Sequence, residues 1–89
     1  MIKSSIVISN KLGLHARASA KLTKLAGGFR SEVHLSRSAR RVNAKSIMGV
    51  MMLAAAKGTK VDVETDGPDE TEAMQALVEL IAGRFGEAE

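Results

Sequence analysis

The sequence predicts an α+β fold in which an antiparallel sheet is covered on one face by helices. Three observations carry that prediction. Short runs alternate apolar and polar residues at period two, other runs repeat apolar residues at helical spacing, and the 89 residues contain no linker, internal repeat or low-complexity tract. Alternation buries one face of a strand and leaves the other wet, the habit of antiparallel sheets, and a helix with one apolar stripe covers such a face. A chain this short is expected to form one domain, residues 1–89, whose modest core leaves little room for an enclosed active-site cavity. Function is therefore expected on the surface.

Ile2, Ser4, Ile6 and Ile8 alternate with Lys3, Ser5, Val7 and Ser9 as a first strand, which ends at the turn-like Asn10-Lys11-Leu12-Gly13. Residues 16–26 are good helix formers. Ala18, Leu22, Leu25 and Phe29 share one face of that helix, Lys21 and Lys24 point to solvent, and Gly27-Gly28 stops it. Residues 32–36 and 40–43 read as a hairpin. Ser46 then precedes a short apolar helix over residues 47–56 that ends near Lys57-Gly58. Residues 60–65 alternate as a fourth strand, and Asp66-Gly67-Pro68 turns into a third helix. The acids among residues 69–72 suit the positive end of that helix, and Met74, Leu77, Ile81 and Phe85 give it an apolar stripe. The order is β-α-β-β-α-β-α.

The formal net charge of +3 hides a segregation along the chain. Residues 1–60 hold twelve of the thirteen Lys and Arg with one acid, Glu32, whereas residues 61–89 hold nine of the ten acids with one base, Arg84. A basic first part suggests an anionic partner: nucleic acid, a phosphorylated group or an acidic protein surface. Cysteine is absent, which excludes disulfides, thiolate metal sites and thiol nucleophiles. Residues 1–5 lack a leader-like apolar region, and no apolar run approaches the roughly 20 residues of a membrane span. The expected location is the cytoplasm, without membrane insertion. Arg37, Arg40 and Arg41 could contact nucleic acid, yet with no Tyr or Trp the aromatic platform of an RNA-reading sheet is missing, and a solvated hairpin is expected. His34, mid-strand between Val33 and Leu35, reads as a surface residue, and two histidines without cysteine or an i, i+4 carboxylate make no metal site.

His15 is the residue that carries chemistry. It stands where the first helix begins, after Gly13, which lets the backbone turn tightly, and one turn from the guanidinium of Arg17. The unpaired N–H groups of Ala16 and Arg17, with the arginine side chain, make an anion site beside a nucleophilic nitrogen. The helix terminus disfavours imidazolium and keeps the ring able to attack, while the same dipole stabilises a phosphoryl group once attached. No base, metal cluster or carboxylate pair accompanies the histidine, so the chain reads as a carrier of a group and not a hydrolase. A small basic nucleic-acid-binding module is the rival from another class.

Ser46 reads first as an N-cap, for which serine is among the best residues. The helix it opens is apolar nearly all round, through Ile47, Met48, Val50, Met51, Met52 and Leu53, more than a short helix on a sheet can bury. Some of these side chains are expected at the surface, where flexible methionines suit several partners.

Gly13-Leu14-His15-Ala16-Arg17 and Asn43-Ala44-Lys45-Ser46, placed as they are in a chain of this length, resemble the HPr family. These are the histidine-containing phosphocarriers of the phosphoenolpyruvate-dependent sugar phosphotransferase system. The resemblance implies an open-faced β-sandwich, with a four-stranded antiparallel sheet of order 1-4-2-3 under three helices. It implies that His15 takes phosphate on Nδ1 from phosphorylated Enzyme I and passes it to an enzyme IIA, with Arg17 neutralising the phosphoryl charge. It implies that Ser46 is a regulatory site of HPr kinase/phosphorylase. Leu14, Ala20, Lys21, Lys24, Lys45, Ile47, Met48, Met51 and Met52 would form the docking surface. No cofactor, metal or nucleic acid is expected, and the chain would act as a monomer and a stoichiometric carrier, not an enzyme. Ala18 stands where many members carry proline, which leaves a nitrogen-branch, NPr-like paralogue as the alternative.

Overall fold

A computed structural model describes residues 1–88. The chain runs β1 (Ile2–Val7), α1 (Ala16–Gly27), β2 (Glu32–Arg37), β3 (Arg40–Asn43), α2 (Ile47–Met52), β4 (Lys60–Asp66) and α3 (Glu70–Ala82), followed by a 3-10 turn at Arg84–Gly86. The strands form a single sheet of order β1-β4-β2-β3, and all three pairings are antiparallel. Ile6 faces Val61 across the β1–β4 pair, and Leu35 faces Val63 on one side and Val42 on the other. Alternation sorts these apolar residues to one face, and Lys3, Ser5, Asp62, Glu64 and His34 to the other.

The helices cover the apolar face. Leu22 and Ala18 of α1, Val50 of α2 and Leu77 and Ile81 of α3 meet Val33, Leu35, Val61 and Val63 in one buried cluster. On α1 the buried stripe is Ala18, Ser19, Leu22 and Ala26, whereas Leu25 and Phe29 are only half-buried. The expected stripe is thus rotated slightly. Ser19 lies inside it because its hydroxyl donates to the Leu14 carbonyl at 3.1 Å.

Two helix ends differ from expectation. α2 stops at Met52 and not near Ala56, because Ala54 turns left-handed at φ 52° and the Arg37 and Arg40 guanidinium groups cap the freed carbonyls. Phe85 is buried, at 1% exposure, but it lies beyond α3 in the 3-10 turn.

The start of β2 is fastened to the start of α3 by Asp69. Its carboxylate accepts from the Arg30 N–H at 2.9 Å, the Ser31 N–H at 2.8 Å and the Ser31 hydroxyl, so it serves this junction and leaves its own helix uncapped. The Ser31 hydroxyl first, and then the Arg30 N–H, pull the Asp69 carboxyl from the ordinary 3.8 down to about 2. A carboxyl lowered in the folded state adds stability above its unfolded value, and that stability is lost as pH falls through the folded value. Stability should therefore decline between pH 3.8 and about 2. The Asp69→Asn variant is expected to be less stable at pH 7 and to lose this part of the acid-denaturation profile, as read by urea melts across that range. An unaltered profile would contradict the assignment.

Candidate functional site

The site is built on the loop between β1 and α1. Asn10 is buried, and its side-chain amide donates to the Gly13 carbonyl at 2.8 Å, while the Gly13 N–H donates back to the Asn10 carbonyl at 3.2 Å. This closed turn requires Gly13. Its φ is +64°, and a Cβ there would stand 2.4 Å from the Ala55 carbonyl oxygen. The next N–H, that of Leu14, donates to the same Ala55 oxygen at 2.9 Å. His15 follows as the backbone N-cap of α1, extended at φ −75° and ψ 179°, with no side chain capping the helix. Its carbonyl takes the first helical hydrogen bond, from Ser19 at 2.8 Å. The N–H groups of Ala16, Arg17 and Ala18 are consequently without intrahelical acceptors. Arg17 is exposed and, among the described residues, its guanidinium has no hydrogen-bond or ion-pair partner.

The histidine has one carboxylate beside it, where the sequence predicts no base, although no carboxylate pair stands there among the described residues. Glu87 Oε2 lies 2.7 Å from His15 Nε2, and its other oxygen accepts from the Asn10 amide at 3.2 Å. The hydrogen bond from His15 lowers the Glu87 carboxyl below its ordinary value; partial burial opposes this, and the Asn10 donor and the charges of His15 and Lys21 add to it. An ionised carboxylate only accepts, so Nε2 is the donor in this contact, and the neutral form of a ring so held has its lone pair on Nδ1. Among the described residues Nδ1 has no hydrogen-bond partner.

A strained hook brings Glu87 there. Arg84, Phe85 and Gly86 all have left-handed φ, at 57°, 57° and 78°. Such geometry costs about 1–3 kcal/mol for each non-glycine residue and persists only where the surroundings impose it. Here the buried Phe85 ring is the anchor, and the Lys21 ammonium donates to the Phe85 carbonyl at 2.6 Å.

The other candidates fall into two groups. Ile47, Met48, Met51 and Met52 are exposed, at 43%, 70%, 40% and 57%, so α2 presents an apolar surface. Ser46 caps that helix, its Oγ accepting from the Gly49 N–H at 3.2 Å. Ala20, Lys21 and Lys24 are exposed on α1, which packs beside α2. Leu14 is 6% exposed and belongs to the core, where its N–H bond to Ala55 draws it, so it is removed from the docking set. Lys45 is half-buried, with its ammonium on the Phe29 carbonyl at 2.9 Å. The hairpin arginines are not merely solvated: Arg37 donates to the Leu53 and Ala54 carbonyls, Arg40 to that of Met52, and Arg41 pairs with Glu64 at 3.2 Å. Among the described residues no three His, Cys, Asp or Glu stand together as a metal site, and no helix is long and apolar enough to cross a membrane.

A family model described as the phosphorylation site of the phosphotransferase-system HPr component matches residues 2–83, which span both the His15 loop and Ser46. The chain belongs to the HPr family. Members of this family are phosphocarriers of the bacterial phosphotransferase system, and the chain is similar to the phosphocarrier protein HPr of Cupriavidus necator, 67% identical over the full length of both. It also resembles the crystal structure of an HPr from Thermoanaerobacter tengcongensis, with a TM-score of 0.97, 44% identity and complete coverage of both chains. A second structure from that organism, an HPr dimer, covers 98% of this chain and matches over 100% of its own length at a TM-score of 0.79 and 45% identity. The 1-4-2-3 sheet under three helices is the fold of these HPr structures.

The Gly13→Ala substitution tests the loop. It is expected to destabilise the protein by about 1–3 kcal/mol or more, through a left-handed residue and a clash with Ala55, and to shift the His15 ring resonances. Denaturant melts and NMR spectra read both effects, and an unchanged His15 spectrum would remove Gly13 from the site.

Proposed function

We propose that this chain accepts a phosphoryl group on His15 Nδ1 from phosphorylated Enzyme I and hands it to an enzyme IIA, as a stoichiometric carrier and not a catalyst. The observation that carries the reading is the difference between the two nitrogens of one ring: Nε2 is bonded to Glu87, while among the described residues Nδ1 has no partner, on the N-cap residue of a helix that no side chain caps and whose first turn holds the equally unpartnered Arg17. A phosphoryl group on Nδ1 would bring negative oxygens to the Ala16 and Arg17 N–H groups and to the Arg17 guanidinium, where dipole and charge stabilise it. The exposed apolar face of α2, with Ala20, Lys21 and Lys24 beside it, is the surface on which successive partners would dock. Lys45 contributes less than its charge suggests, because its ammonium is already engaged. The protein acts in the cytoplasm and as a monomer in this reading.

Ser46 is the proposed regulatory site, modified by an ATP-dependent HPr kinase/phosphorylase. Its Oγ is exposed at the start of α2, so a phosphate there adds about −1.5 to −2 charges beside the apolar face and is tolerated by the helix itself. The effect is obstruction of docking and not unfolding.

Incubation with phosphoenolpyruvate and Enzyme I is expected to give an acid-labile, base-stable adduct of one phosphoryl group, seen by mass spectrometry and abolished by His15→Ala. No adduct on the unmodified protein would end the proposal. A Ser46→Asp variant should accept the group more slowly at an unchanged melting temperature, and acceptance at the unmodified rate would rule out electrostatic obstruction.

A further inference from the structure

We infer that Glu87 is a positioning residue that holds the His15 proton on Nε2 throughout the transfer cycle, so that the phosphorylated ring stays ready to give its group away. The inference rests on the phosphocarrier reading and extends it to a residue outside the sequence motifs. Three observations support it. The carboxylate is 2.7 Å from Nε2, its second oxygen is fixed by the buried Asn10, and the hook that delivers it is anchored independently by Phe85 and Lys21. The hook therefore has no need of the His15 contact to keep its place.

The proton balance explains what the contact does. In the resting ring Nε2 bears the proton and Nδ1 the lone pair. That pair forms the bond to phosphorus while the donor's bond to phosphorus breaks and its electrons stay with the donor. No proton moves. The ring, still protonated on Nε2, now carries a positive charge opposite the Glu87 carboxylate. In onward transfer the bond between Nδ1 and phosphorus breaks, its electrons return to Nδ1, and the departing group is again a neutral imidazole. Were the Nε2 proton lost from the phosphorylated ring, the departing group would be an imidazolate anion, a far poorer leaving group.

The charges around the ring leave this task to Glu87. Arg17 and Lys21 come from α1, and the Lys21 ammonium is held on the Phe85 carbonyl. From the hook, the Arg84 guanidinium donates to the Ala88 carbonyl at 3.3 Å. Asn10 is neutral, and among the described residues Glu87 is the one carboxylate in contact with His15.

The test compares the unmodified protein with Glu87→Ala and Glu87→Gln, each labelled with ¹⁵N-histidine, with His34 as an internal reference. In the unmodified resting protein the His15 proton is expected on Nε2 alone, and in Glu87→Ala it is shared between the two nitrogens. Acceptance from Enzyme I should fall only about twofold in Glu87→Ala, since the competent tautomer remains populated. Hydrolysis of the phosphoryl group and its transfer to an enzyme IIA at pH 8 should slow about tenfold, because without the neighbouring opposite charge less of the phosphorylated ring keeps its Nε2 proton. Glu87→Gln keeps an acceptor oxygen without the charge, so it should restore the tautomer and leave onward transfer slow. Equal tautomers and equal phosphoryl lifetimes in all three proteins would overturn the role of Glu87 alone. Absence of any adduct on the unmodified protein would overturn the carrier reading and this inference together.

Discussion

The hydrogen bond from the Leu14 N–H to the Ala55 carbonyl ties the loop that starts α1 to the loop that leads into β4. Much else depends on it. The Ala55 oxygen occupies the space a Cβ on Gly13 would need, which makes glycine obligatory and fixes where the backbone turns toward His15. The same bond draws Leu14 into the core, at 6% exposure, so the histidine is mounted on a buried neighbour. A histidine on a free loop would sample many orientations, whereas this one is set by the Ala55 acceptor and a packed leucine.

Around that fixed point the charges are arranged by segment. The motif and the helix it opens are basic, while the residue that completes the site comes from the acidic end of the chain. Folding brings the two together at one ring, with Glu87 on Nε2 of the residue that begins α1. One ring nitrogen thus meets an acceptor, and among the described residues the other has no hydrogen-bond partner. That difference makes the two nitrogens of one ring chemically distinct.

Much of this was legible in the sequence, because the signals are local. Alternation located three strands and the hairpin pattern the fourth, and the neighbours of His15 and Ser46 lie within a few residues of them. What escaped depends on contacts between distant residues. Glu87 stands 72 positions from His15 and arrives through left-handed Arg84 and Phe85, which no propensity favours. The early end of α2 reflects Arg37 and Arg40 reaching across from the hairpin, and a helical pattern over residues 47–56 gives no sign of them. Leu14, which the resemblance places in the docking surface, packs instead into the hydrophobic core formed by residues distant in sequence.

Pinning α2 at both ends has a consequence for binding entropy. Ser46 holds the start of this six-residue helix, and Arg37 and Arg40 hold its end, so its backbone is ordered before anything touches it. A helix this short has little stability of its own, and a frayed one would lose its freedom anew at every encounter. The methionine side chains keep their rotamers and can mould to differently shaped surfaces. Rigidity in the main chain with softness in the side chains suits brief, repeated contacts, and the rigidity is supplied by a hairpin that lies outside the apolar patch itself.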